Sequence, residues 1–561
     1  MNPALAATLQ IGVVVIILAL AYVPLGDYMA RVFSGARDLA PERWFYRIVR
    51  VDSTRQQTWV GYAAALLGFS FVSVLFLYVL QRVQEHLPMS GGRSAVPGAM
   101  AFNTAVSFVT NTNWQSYSPE AVMGNLTQAG GLAVQNFLSA AVGLAVAIAL
   151  IRGIISRVST GELGNFWVDL VRGTIRILLP LSIVFAIIFL TQGVVQSFRS
   201  GFDFTGLDGT TGHGVLGPFA SQEAIKELGT NGGGSLATNS AHPFENPTPL
   251  SNIAQIIAIL LIPVCLTRTY ATMVGDRRQG FTILGVMTAL FAIILSITWA
   301  FEERTNGLAA RAAGGMMEGK EQRFGIPASV LFATATTGTS TGAVNAQHDS
   351  FSAAGGGALI WNMLLGEVAP GGVGTGLYGM LVLAIIAVFV GGLLVGRTPE
   401  FLGKKIGQRE ITMAALSILV MPALVLIGTA ITAILPSTTT FQGNSGDPGS
   451  PGSIHGYSEV LYAFASAANN NGSAFGGLTV TSDWFQVSLG VAMLFGRFLP
   501  IIFTLALAGL LAKQKTKPVS SATLPTHGPL YAGLLTGTVL LVAGLTFFPA
   551  LALGPIAEAL A

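Results

Sequence analysis

Long apolar runs alternate with polar connections from one end of the chain to the other. Ten runs reach the length of about 20 residues that crosses a bilayer. They cover residues 4–25, 58–80, 129–151, 177–195, 251–272, 281–300, 353–395, 412–435, 484–512 and 527–556. Each predicts a membrane helix. The seventh is too long for one straight crossing, and its glycine-rich middle predicts a broken helix. Four connections are long: 81–128, 196–250, 301–352 and 436–483. Each begins with a moderately apolar stretch compatible with a helix. An uncharged string of Gly, Thr and Asn follows, and then the next run. The strings are TNTNWQ (110–115), TNGGGS (230–235), TTGTSTGAVN (336–345) and NNNGSAFGG (469–477). Four such layouts predict an internal fourfold repeat of span, short helix, string and span.

Composition removes the soluble classes. The 561 residues are 52% hydrophobic and 10% charged, where a soluble surface needs about 25% charged residues. The mean hydropathy is +0.64. The chain is therefore read as an all-α polytopic membrane protein. A single cysteine, Cys265, excludes a disulfide framework and any cysteine-cluster metal site. A formal charge of +3 gives no reason to expect nucleic acid.

The distribution of charge is more informative than its sum. No Lys or Arg precedes the first run and six arginines follow it, the reverse of a cleaved signal peptide. That run is expected to stay as a span. Alternate connections hold 21 of the 29 basic residues, from Arg31 to Lys517. By the positive-inside rule those connections face the cytoplasm, both termini lie outside, and the four strings lie outside as well. The expected units are 1–57 (a first span and a basic loop), repeats at 58–171, 172–279, 280–410 and 411–518, and a last span at 519–561.

The strings carry the candidate chemistry. A selective ion site needs carbonyl oxygens arranged to replace an ion's water shell. Glycine and asparagine reach the backbone angles this requires. Irregular backbone at membrane depth is tolerated only where it is buried in protein or lines a cavity. Each short helix would also point its partially negative end at a cation. None of the strings holds Asp or Glu, which divalent sites recruit. Neutral oxygens suit a weakly hydrated monovalent cation, with potassium the leading choice.

Several stretches then resemble a known family: TNGGGSLATNSAHPFENPT (230–248), STGAVNAQHDSFSA (340–353), GEVAPGGVGTGLYGM (366–380), GRTPEFLGKKI (396–406) and SEVLYAFASAANNNGSAFGGL (458–478). In order and over the whole chain they are similar to KdpA, the potassium-binding subunit of bacterial high-affinity potassium-transporting P-type ATPases. The resemblance implies four fused pore-loop units around a pseudo-fourfold pore, with two extra terminal spans, in the bacterial plasma (inner) membrane. It implies K+ as the transported ion, entering from outside and leaving sideways toward an ATPase subunit, KdpB. It also implies a small subunit, KdpC, and a peptide, KdpF. Carried over by motif, the filter residues are Asn111, Asn113 and Gln115; Thr230, Asn231, Gly232 and Asn239; Thr341 and Gly342; and Asn470 and Gly472. Asn470 is the residue expected to turn its side chain to the ion. The chain departs from the family pattern at Ser235 and Leu236, where an aromatic pair is familiar, and at Thr341, where cysteine occurs.

Three residues outside the strings stand out. Glu367 interrupts the seventh run, and an ionisable group at such a break is functional by default. With Thr375 it is expected to gate or redirect the ion. Arg497, inside the ninth run, should face the interior. His242 and Glu245 could suggest a metal site, but they lack a ligand pattern and are read as a structural loop. The arginines at 31–55 are a topology signal that can also meet a partner or anionic lipid. No GxxxxGK[ST] loop or DKTGT motif occurs, so ATP would be used by a partner and not bound here. The competing readings are a self-sufficient potassium channel or symporter of the same fold and, less favoured, a membrane-embedded enzyme.

Overall fold

The computed structural model describes residues 3–199, 201–304, 310, 314–435, 452–516 and 523–560. The opening of the fourth long connection, 436–451, and Lys517 lie outside the described residues. Among the described residues, ten helices are long and apolar enough to cross a membrane. They are α1 (Pro3–Ser34), α2 (Trp59–Arg82), α4 (Thr127–Ile155), α5 (Phe166–Thr191), α7 (Pro249–Val274), α8 (Arg277–Glu302), α11 (Thr375–Leu394), α12 (Gln408–Ile434), α14 (Asp483–Ala512) and α15 (Pro529–Leu560). Four shorter helices precede the four strings or carry them: α3 (Gly98–Val109), α6 (Phe219–Leu228), α9 (Gly325–Thr337) and α13 (Gly452–Asn469). The long seventh run is broken as expected, into α10 (Ala353–Leu364) and α11, with residues 365–374 between them.

The helix ends follow from local chemistry. Pro249 opens α7, where its missing N–H costs nothing. The Thr248 and Ser251 side chains cap each other's backbone N–H at 3.0 Å. Gly275 ends α7 with φ +79°, a left-handed stop that favours glycine. Asp276 then caps α8 by accepting from the Arg278 N–H at 2.9 Å.

Hydropathy does not separate the inner helices from the outer ones, but packing does. The most apolar stretches of α4 and α7 are 83% buried, against 17% for α1. The helix that follows each string is an inner one: α4, α7, the α10–α11 pair and α14. Where hydropathy placed loops, some segments are helical. α1 runs on to Ser34, so Arg31 lies on a helix, and Ala40–Ile48 forms a helix of its own. The connection 196–250 also holds an antiparallel hairpin, Gly201–Thr205 with Thr211–Val215. The face with the basic loops is tied by ion pairs, including Arg152–Asp169 at 2.6 Å, Arg172–Asp38 at 2.8 Å and Arg268–Asp27 at 2.8 Å.

Candidate functional site

Each short helix ends in the same way. The backbone N–H of Thr112 donates to Ser107 O at 3.0 Å, Asn231 to Lys226 O at 2.9 Å, Thr341 to Thr336 O at 3.2 Å, and Asn471 to Ser466 O at 2.9 Å. This six-to-one bond is the mark of a helix stop that passes through a left-handed residue. The residue before each donor has positive φ: Asn111 66°, Thr230 51°, Ser340 51° and Asn470 60°. The residues after the donors are Asn113, Gly232, Gly342 and Gly472. Backbone geometry thus aligns the four strings residue by residue and adds Thr112, Ser340 and Asn471 to the candidates. Sequence reading passed over them because the filter residues were carried over by family motif, which included Thr230, Thr341 and Asn470 but not these three.

The strings also close a ring. The Asn111 side-chain N–H donates to Thr230 O at 2.8 Å, joining the first string to the second. The Gly342 N–H donates to Asn231 O at 3.0 Å, joining the third to the second. The Asn471 side chain donates to Thr336 O at 3.1 Å, joining the fourth to the third. The Asn470 side chain donates to Thr112 Oγ1 at 3.0 Å, closing the fourth on the first. Approach is tightest at the glycines. A Cβ at Gly232 would fall 2.1 Å from Gly342 N, and one at Gly472 would fall 1.9 Å from Thr112 O. Both have φ near +100°, a region L side chains rarely enter.

The other sequence candidates take distinct places. Thr341 is fully buried, and its carbonyl accepts from Thr336 Oγ1 at 2.5 Å. Asn113 Oδ1 is buried without a hydrogen-bond partner. Gln115 bridges the first two strings, donating to Gly234 O at 3.1 Å and accepting from Gly234 N at 3.0 Å. Asn239 holds Gly232 O from the side at 2.6 Å. The Asn470 side-chain nitrogen is engaged by Thr112 and by Met493 O at 2.9 Å. Glu245 meets Lys226 Nζ at 3.0 Å, and His242 Nδ1 accepts from the Phe244 N–H at 3.0 Å. Both residues lie in the segment after the second string.

The short helix before the second string carries charge that the string lacks. Lys226 Nζ lies 2.7 Å from Glu223, 3.0 Å from Glu245 and 3.6 Å from Glu227, with all four side chains buried. The same Lys226 offers its carbonyl to the Asn231 and Gly232 N–H groups. Burial pushes the Glu223 and Glu227 carboxyls above the usual carboxylate range, and Lys226 beside them offsets part of that rise.

Residues 365–374 are bonded to the second and third strings. The Gly371 N–H donates to Gly338 O at 2.8 Å, and the Val373 N–H donates to Thr230 Oγ1 at 2.9 Å. Glu367 on this loop is 2% exposed. Among the described residues neither of its carboxylate oxygens has a hydrogen-bond partner, and the Ser340 and Asn471 side chains lie beside it. Arg497 is also buried; its Nη2 donates to Ser139 O at 3.2 Å. No ion pair within 4.0 Å joins Glu367 to Arg497 among the described residues. Ser340, Thr375, Asn470 and Arg497 line a cavity of about 130 Å³, together with Pro422 of α12 and Val539 and Phe547 of α15.

The chain is similar to known proteins over nearly its whole length. Residues 12–560 match the family described as potassium-transporting ATPase A subunit, KdpA. A potassium-transporting ATPase potassium-binding subunit of Mycobacteroides abscessus is 72% identical, with 100% of both chains covered. The protein of that name from Rhodococcus erythropolis is also 72% identical over 100% of both chains. That from Clavibacter michiganensis is 58% identical over 99% of both. Among solved structures, the potassium transporter TrkH from Vibrio parahaemolyticus aligns with a TM-score of 0.49 at 15% identity, covering 78% of this chain and 83% of that one. The matched family spans almost the entire chain, and the chain belongs to the potassium-transporting ATPase A subunit family.

Proposed function

We propose that the ring of four strings is a potassium filter, and that this chain is the non-hydrolytic, K+-binding subunit of a potassium-transporting P-type ATPase. One observation carries the reading: four uncharged strings with matching backbone close on one another, each held by the next. Backbone and side-chain oxygens of Asn111, Thr112, Asn113, Thr230, Asn231, Gly232, Thr341, Gly342, Asn470, Asn471 and Gly472 supply neutral ligands that replace an ion's hydration shell. Gln115 and Asn239 hold the strings in register. K+ enters from outside, the side away from the basic loops, with both termini outside in a bacterial plasma membrane.

The loop at 365–374 stands across the direct way down, which favours sideways delivery over a simple channel. Glu367 attracts the ion as it leaves the ring, Thr375 lies at the start of the cavity, and Arg497 repels it from the far side. The ion then passes to a KdpB-like subunit that uses ATP, in a complex with KdpC-like and KdpF-like chains. The repeats at 58–171, 172–279, 280–410 and 411–518 are the units of this filter, and the terminal segments 1–57 and 519–561 are additions to it.

Gly232→Asp tests the filter. It adds a side chain at φ +96° and 2.1 Å from Gly342 N. The half-saturating K+ concentration for uptake by the complete complex should rise at least tenfold, roughly the 1–2 kcal/mol of left-handed strain plus the clash. An unchanged value removes Gly232 from the site. Rubidium flux through the purified chain without ATP or partners would instead favour the self-sufficient channel or symporter.

A further inference from the structure

An apolar groove of about 420 Å³ lies on the flank of the bundle, separate from the cavity that Thr375 and Arg497 line. α1 contributes Ile11, Val15, Leu18 and Tyr22, spaced along one helix face. α8 contributes Phe281, Leu284, Thr288 and Phe291. The rings of Tyr22 and Phe281 meet with centroids 5.8 Å apart. Val15 and Phe281 are more than half exposed, so the groove opens sideways toward the bilayer. Its deep wall includes Leu331 of α9 and Pro370 of the loop at 365–374. The next residue, Gly371, donates to Gly338 O at the end of α9. The groove therefore reaches the backbone that underlies the third string.

An empty space of this size would forfeit dispersion contacts along its whole wall. Apolar walls facing a bilayer take hydrocarbon. A helix is about 10 Å wide with its side chains, several times too large for this volume, whereas an acyl chain is narrow enough. The ends of the groove are not alike. The face of α8 that lines it continues one turn back to Arg277, which stands four residues before Phe281. Arg277 is exposed, and no carboxylate lies within ion-pair distance of it among the described residues. Its acidic neighbour Asp27 is already engaged by Arg268 at 2.8 and 2.9 Å and by Thr272 Oγ1 at 2.5 Å. A free guanidinium thus stands at the head of an apolar groove, on the face that carries the basic loops. Guanidinium pairs strongly with phosphate, and basic residues at such a rim attract anionic lipid.

We propose that this groove holds one acyl chain of an anionic phospholipid, its phosphate paired with Arg277 and its chain packed against Pro370 behind the third string. The site stands whether or not the ring is a potassium filter, because neither the groove nor Arg277 belongs to the ring.

The test places a benzoylphenylalanine photocrosslinker at Phe281 in the complete complex, reconstituted in equal phosphatidylglycerol and phosphatidylcholine. Mass spectrometry should find a single-phospholipid adduct, with phosphatidylglycerol favoured about fivefold, as one arginine at a membrane surface gives. Arg277→Gln should abolish that preference, and Thr288→Trp, which fills the groove, should remove the adduct. Equal labelling by the two lipids, a peptide adduct from a partner helix or second copy, or an adduct unaffected by Thr288→Trp would each overturn the proposal. Arg277→Gln replaces an exposed side chain, so the preference measurement decides even if the tryptophan variant fails to fold.

Discussion

Asn111, Thr230, Ser340 and Asn470 have little in common as side chains, yet all four take left-handed backbone at the same step after a short helix. For threonine and serine this costs about 1–2 kcal/mol each, and the six-to-one hydrogen bond at the next residue holds the conformation in place. What repeats is the backbone shape, while the side chains are used to join one string to the next. Gly472→Ala isolates this effect without adding charge. Its Cβ would fall 1.9 Å from Thr112 O, so the fourth string must withdraw from the first. The half-saturating K+ concentration for uptake should rise at least tenfold, from about 1–2 kcal/mol of backbone strain with the clash added. Gly537→Ala, on α15 with nothing within 4 Å of the added Cβ, should leave it unchanged. Equal behaviour of the two variants would show that close approach at Gly472 has no role. The glycines and asparagines of the ring were legible in the sequence because these residue types relax backbone limits. Ser340, Thr112 and Asn471 were not, because their equivalence lies in a local backbone shape closed by a hydrogen bond across five residues, which residue type does not encode. Asn239 had the right chemistry but holds a carbonyl from the side.

The helices before the strings need anchoring at their outer ends as well as at the ring. α13 is fixed through His455, whose Nε2 lies 2.9 Å from Asp349 Oδ1 and whose Nδ1 lies 2.7 Å from Glu558 Oε1. Asp349 follows the third string and also accepts from the Gly477 N–H at the end of the fourth, at 2.9 Å. Glu558 belongs to the last helical turn of the chain. One imidazolium thus joins two strings to the terminal span. Burial alone would lower the His455 pKa, but hydrogen bonds to the two carboxylates outweigh it and push it up to about 10. The folded value lies above the unfolded 6.5, so the clamp contributes fully below that pH and is lost as pH rises through about 10. His455→Ala should lower stability by about 2 kcal/mol at pH 6, the scale of a hydrogen bond to a charged group. The Tm gap to the parent should shrink sharply by pH 10.5, and a gap constant across that range would remove the charged clamp. Such polar ties were hidden from the sequence, where His455 is far from both partners. Inner and outer spans were hidden for another reason. Lipid and protein interior are equally apolar, so α1 and α7 have similar hydropathy although one is exposed and the other enclosed. The break between α10 and α11 was legible because length alone forbids one straight crossing.

Across the whole molecule, the proposed route enters through the ring and turns sideways into the cavity that Thr375 and Arg497 line. A straight pore would need residues 365–374 to move, but this loop is bonded to the second and third strings through Val373 and Gly371. The cavity that Thr375 and Arg497 line is also lined by residues of α12 and α15. If ions pass through it, filling it should slow delivery and spare recognition. Ala543 of α15 lines the cavity and is 4% exposed. Ala543→Trp would occupy much of its roughly 130 Å³. Overpacking of this kind costs about 1–3 kcal/mol, so the amount of assembled complex in the membrane is measured beside transport. Maximal K+ uptake per complex should fall at least tenfold, while the half-saturating concentration stays within about twofold, because the substituted residue lies on α15 and is not one of the proposed ion ligands. Full-rate uptake by a stably assembled Ala543→Trp complex would rule out the sideways route and return attention to the loop as a movable gate. A parallel rise in the half-saturating concentration would mean that the ring and the cavity are one binding unit, with Asn470, which borders both, as the residue that couples them.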